Sequence, residues 1–168
     1  MTATRADEAL VILLGHSSRE VVFAAAGALV NLGADPQCWP ALTRSSSPSS
    51  PNGCAQLVHH LRRAGMRDLA MASVACKALF NILSPLAAPG SRLGAVAAAE
   101  DAYWSIQLLH ESLDELLEVT DLEDDHGADF STSGGALFRL TGSLLQQPRG
   151  AEASEYEELE DPLDYGHK

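Results

Sequence analysis

Apolar residues fill nearly every position of two segments: 22–32 (Val-Phe-Ala-Ala-Ala-Gly-Ala-Leu-Val-Asn-Leu) and 72–82 (Ala-Ser-Val-Ala-Cys-Lys-Ala-Leu-Phe-Asn-Ile). Aligned fifty positions apart, both read Ala-x-x-Ala-Leu-x-Asn-Leu/Ile. A helix with almost no polar face needs neighbours on most sides. A chain that meets that need twice predicts stacked repeats. A strand over Val21, Val22 and Phe23 is disfavoured by the Ala/Gly run that follows, which packs poorly in a sheet.

Each buried segment follows a shorter apolar one. Leu10, Val11, Ile12, Leu13 and Leu14 predict a short helix over 8–15, and 56–63 matches it at a spacing of 47. Ser17 and Glu20 fit a capping box at the start of the first buried helix. Gly33 fits a left-handed end, and Pro36 prevents continuation. Gly65 breaks the second short helix, and the second buried helix runs over 67–83 until Ser84-Pro85. Two repeats therefore occupy 5–84, with a Ser/Pro-rich insertion at 43–53. Ser47-Pro48 and Ser50-Pro51 are either sites for a proline-directed kinase or part of a tolerated surface loop.

After a linker at 85–94, residues 95–119 predict an amphipathic helix. Ala99, Ala102, Tyr103, Ile106, Leu109, Leu113, Leu116 and Leu117 recur at helical steps, and acids fill the opposite face. One wet face suits a capping helix at the end of a stack. Residues 120–168 read as an acidic, mostly disordered tail with a short apolar helix near 135–146.

Charge divides along the same boundary. Residues 1–97 hold eight Lys/Arg and five Asp/Glu; residues 98–168 hold three and eighteen, within a net charge of −12. Such a tail argues against nucleic-acid partners. The longest apolar run, 21–32, is too short to span a bilayer, and Met1–Glu8 makes a poor secretory signal. Cys38, Cys54 and Cys76 lack metal-site spacing and fit free thiols in a reducing compartment. The expected protein is soluble and cytoplasmic, without membrane contact. Its scattered histidines suit solvated surface better than a metal site. No phosphate loop or nucleophile elbow occurs, so neither a cofactor nor a catalytic residue is expected.

The repeated segments resemble the armadillo repeat, a three-helix unit whose last helix carries Ala-x-x-x-Leu-x-Asn-Leu. Here that motif reads Ala25-Ala26-Gly27-Ala28-Leu29-Val30-Asn31-Leu32 and Ala75-Cys76-Lys77-Ala78-Leu79-Phe80-Asn81-Ile82. The resemblance covers 8–83 and implies an all-α, short armadillo-like solenoid that binds a protein or peptide in its groove. It also implies that Asn31 and Asn81 either line that groove or bond backbone inside the stack. Nuclear-import receptors carry a Trp four positions before this Asn; here those positions are Gly27 and Lys77, a departure from the pattern that recognises nuclear localisation signals. Within the family, 14–32 is most similar to the C-terminal repeats of an armadillo protein of cilia and flagella. That likeness implies scaffold or adaptor work in assembling axonemal parts, notably radial spokes. A cytoplasmic or nuclear signalling adaptor is the second armadillo reading. An enzymatic or small-molecule-binding helical domain is the reading from a different class, and it would require a polar pocket between the buried helices.

Arg62, Arg63, Arg67 and Lys77 form the basic cluster of the sequence. It is either a solvated face or a docking patch for an acidic segment, including the chain's own tail. One further expectation follows from having only two repeats. Leu10, Ile12, Leu13 and Val21 should form an apolar N-terminal end, covered by a partner or by more of an armadillo array.

Overall fold

The computed structural model describes residues 6–38, 42, 52–87, 100–119 and 125–146. These residues are all-α, with no strand among them. The helices are α1 (Ala6–Leu14), α2 (Arg19–Leu32), α3 (Gly53–Ala64), α4 (Leu69–Leu83), α5 (Glu100–Val119) and α6 (Asp125–Gln146). Single 3-10 turns follow α2, α3 and α4 at Pro36–Cys38, Gly65–Arg67 and Ser84–Ala87. No described helix is long and apolar enough to cross a membrane.

Consecutive helices pair, α1 with α2, α3 with α4, and α5 with α6. The pairs then join through α2–α4–α6 on one side and α1–α3–α5 on the other. Equivalent helices run the same way. Gln56 and His60 of α3 reach the Val11 and Leu14 carbonyls of α1, while Arg19 and Val30 of α2 meet Asp68 and Asn81 of α4. α4 is the hub. With α2, α3 and α6 around it, Met71, Ala72, Ala75, Cys76, Ala78, Leu79, Ile82 and Leu83 are all buried. Burying one such large aliphatic side chain contributes roughly 1.5–3 kcal/mol. The Cys76 thiol is pushed up to about 12 by that burial, so it packs as a small hydrophobe.

The helix ends show how the pairs lock. The last four carbonyls of a helix have no partner within it. In α1 all four are satisfied: Val11 by Gln56 Nε2 at 3.1 Å, Ile12 by the Gly15 amide, Leu13 by the His16 amide, and Leu14 by His60 Nε2 at 2.7 Å. His60 is thus a bridge between α3 and α1 rather than a solvated side chain. His110 is likewise committed, stacked on Phe138 at 4.1 Å and bonded to Thr141 at 2.8 Å.

Local expectations shift in three places. The N-cap of α2 is Ser18, whose Oγ accepts from the Val21 amide and donates to Glu20 Oε2 at 2.7 Å. The cap expected on Ser17 therefore lies one residue further on, and no capping box forms: the Ser18 amide donates to His16 Nδ1, and Glu20 accepts from the Ser18 hydroxyl instead. Gly33 is right-handed (φ −62°), not left-handed. Its small size matters instead, since a Cβ there would lie 2.8 Å from Ile82 Cγ1 and 2.8 Å from the Leu29 carbonyl. The positive φ of +45° belongs to Gly65, which ends α3. Asn52 and Gly53, placed in the Ser/Pro insertion by sequence, are the N-cap and first residue of α3. Residues 43–51 of that insertion lie outside the described residues.

The largest difference is α6. The short helix expected near 135–146 is the second half of a 22-residue helix that starts at Asp125. It is α6, not the helix within 95–119, that covers α4. α5 keeps the expected amphipathic character, burying Ile106, Leu109 and Leu113 while Glu111, Asp114, Glu115 and Glu118 stay exposed. The helical half missed by the sequence reading is rich in Gly and Ser, poor helix formers on their own. Packing overrides that preference: Phe130, Leu137 and Thr141 are fully buried, and Gly134 lets the Phe130 ring and Leu117 close in. Residues 88–99, 120–124 and 147–168 of the linker, helix start and tail lie outside the described residues.

Candidate anion-binding pocket

Two helix starts lie side by side on one end of the α2–α4 layer. Ser18 caps α2 and Asp68 caps α4, accepting from the Met71 amide at 3.1 Å. They stand fifty residues apart in sequence, the spacing of the repeat. Because Arg19 follows Ser18, it falls beside Asp68 and grips it with two bonds, Nε–Oδ2 at 2.5 Å and Nη2–Oδ1 at 2.7 Å. The same guanidinium lies 5.4 Å from the centre of the Phe23 ring. A fork this well matched fixes direction as well as charge.

This pair forms one wall of an open pocket of about 230 Å³. The remaining lining comes from the turn before α2 (His16, Ser17), the last turn of α3 (His60, Arg63, Ala64), Arg67, and the apolar floor of Val22 and Met71. Three arginines and one carboxylate thus line the pocket, and that carboxylate is already taken by Arg19. Among the described residues Arg63 and Arg67 enter no ion pair. The pocket therefore carries an excess of positive side-chain charge; the starts of α2 and α4 favour an anion, while the last turn of α3 in the same lining opposes it. Arg19, first through its hydrogen bond, holds the Asp68 carboxyl below its ordinary range, so Asp68 stays charged and occupied.

Of the residues singled out by sequence, the structure brings Arg63 and Arg67 together here. Arg62 is exposed on α3 but does not line the pocket. Lys77 is diverted: its Nζ holds Asp129 of α6 at 2.7 and 2.9 Å. Asp129 also accepts from Ser73, which in turn contacts Ser133 at 3.1 Å, so a polar seam joins α4 to α6. Asn81 bonds the Val30 carbonyl inside the stack, whereas Asn31 is exposed on α2. Sequence reading missed Arg19, His16 and His60. The signal for Arg19 was present, since the fifty-residue spacing sets Ser18 beside Asp68.

Comparisons with protein-family models, with curated proteins and with solved structures gave no match for this chain.

Proposed function

We propose that this chain is a non-catalytic protein-interaction module, an armadillo-like stack that holds an acidic segment of a partner in the Arg19–Arg63–Arg67 pocket. The observation that carries the reading is a pocket lined by three arginines and one carboxylate, which Arg19 already engages. Two guanidinium groups are left to meet carboxylates from outside. Surface charge of this kind gives orientation and association rate more than raw affinity. The finer proposal is scaffold or adaptor work in assembling the axoneme. It rests on the likeness of 14–32 to the C-terminal repeats of armadillo repeat-containing protein 2.

Fluorescence anisotropy with a Glu-rich peptide tests the pocket. Binding should weaken with added salt, and R63E/R67E should reduce affinity by about ten-fold or more. Equal affinity for the wild type and the double variant would reject the pocket as the site. Affinity capture from ciliated and unciliated cells tests the setting: partners confined to non-ciliary signalling would defeat the axonemal reading.

A further inference from the structure

The face that α4 turns to α2 is repeated on α2 itself, where it is less buried. On α4 this face carries Ala78, Asn81 and Ile82: Asn81 bonds the Val30 carbonyl, and the Ala78 carbonyl and Ile82 lie against Gly33. Met71 and Val74 continue it at helical spacing. The fifty-residue register maps these five onto Val21, Ala24, Ala28, Asn31 and Leu32 of α2. Each is less buried than its counterpart. Met71, Ala78 and Ile82 are buried where Val21, Ala28 and Leu32 are half-buried; Val74 and Asn81 are half-buried where Ala24 and Asn31 are exposed. Alongside, α1 leaves Ile12 76% and Leu13 40% exposed, two of the three exposed large apolar side chains among the described residues.

The opposite end of the layer is finished differently. Away from the polar seam with α4, α6 presents His126, Thr132, Arg139, Ser143 and Gln146 to solvent. That end is polar, whereas the α1–α2 end also exposes aliphatic side chains.

We infer that this end docks an α-helix running parallel to α2, seated on Ala24, Ala28 and Leu32, with a main-chain carbonyl of its last turn bonded to Asn31. The α2–α4 contact supplies the chemistry of the occupant. α2 receives α4 with an aliphatic face, a free carbonyl at Val30 and a glycine at the point of closest approach. A partner helix ending in an aliphatic–Asn–aliphatic–Gly sequence continues that interface by one step. A second copy fits poorly. A two-fold would set Asn31 against Asn31 with no last-turn carbonyl between them, and a head-to-tail copy would bring up the polar side of α6.

A stapled, fluorescein-labelled helix copying residues 19–35 reproduces the receiving face and serves as the probe, titrated with the full chain. Saturable binding is expected. A24R, at an exposed position, should weaken it by about ten-fold or more without changing the circular dichroism. R63E/R67E should leave it unchanged, which separates this surface from the arginine pocket. Absence of saturable binding, indifference to A24R, or loss in R63E/R67E would overturn the inference. So would sedimentation showing a wild-type dimer that A24R dissociates, since the occupant would then be a second copy.

Discussion

Asn81 of α4 donates its side-chain amide to the main-chain oxygen of Val30 in the last turn of α2, at 2.6 Å. The bond satisfies a carbonyl that the helix itself leaves free, and it sets the register between α2 and α4. Asn81→Ala should therefore destabilise the chain by about 1–2 kcal/mol. Asn31→Ala, at the equivalent but exposed position, should change stability by less than about 0.5 kcal/mol. Urea unfolding of both variants checks the pair; equal effects would mean that the cross-helix bond does not matter.

Gly33 is held to a hydrogen side chain by crowding rather than by backbone conformation. Gly33→Ala should cost about 1–3 kcal/mol, because the new methyl meets both Ile82 Cγ1 and a main-chain oxygen. Removing the crowding carbon with I82A should make Gly33→Ala less costly than it is in the wild type, a coupling measured by a double-mutant cycle. Strict additivity would place the strain elsewhere.

Acid should loosen the joints on both sides of α4. Hydrogen bonds from Arg19 and Lys77, the leading causes, hold Asp68 and Asp129 below their ordinary value of 3.8 in the folded chain, and His126 adds to both shifts. A carboxyl whose folded value is depressed contributes stability that is complete above its unfolded value. That contribution is lost as pH falls through the folded value. Stability should thus decline on acidification below about pH 4, and less steeply in D68N/D129N than in the wild type. Both pairs are partly exposed, so the difference should be small. Parallel slopes for the two proteins would remove these carboxylates from the acid response.

The tail offers the arginine pocket a competitor within the same chain. Residues 152–164 hold seven acids and no Lys or Arg. Deleting residues 152–168 should tighten binding of a Glu-rich peptide at low salt by a few-fold, with the gain fading as salt screens the charges. Unchanged affinity at low salt would show that the tail does not occupy the pocket.

Much of the all-α architecture was legible along the chain because aliphatic periodicity reports burial directly. Val22, Ala25, Ala26 and Leu29, then Ala75, Cys76, Leu79 and Ile82, are buried as their repeated pattern demands. The glycine break after α3 and the amphipathic α5 follow from the same arithmetic. α6 was only half legible. Its first turns bury Gly127, Phe130, Ser133 and Gly134, and small or hydroxyl-bearing residues carry no apolar period of their own.

The sequence by itself determined two nearly all-apolar helices, fifty residues apart, that had to be enclosed. Only the tertiary structure decided what encloses them: α6 covers α4, with Lys77 committed to Asp129, while the equivalent outer face of α2 is less buried among the described residues. It also decided that Arg63 and Arg67 share a pocket with Arg19, whereas Arg62 does not. The physical reason is common to all of these. Apolar spacing fixes which side of a helix must leave water. The destination of a short polar or charged side chain depends on which carboxylate or carbonyl a neighbouring helix brings within about 3 Å.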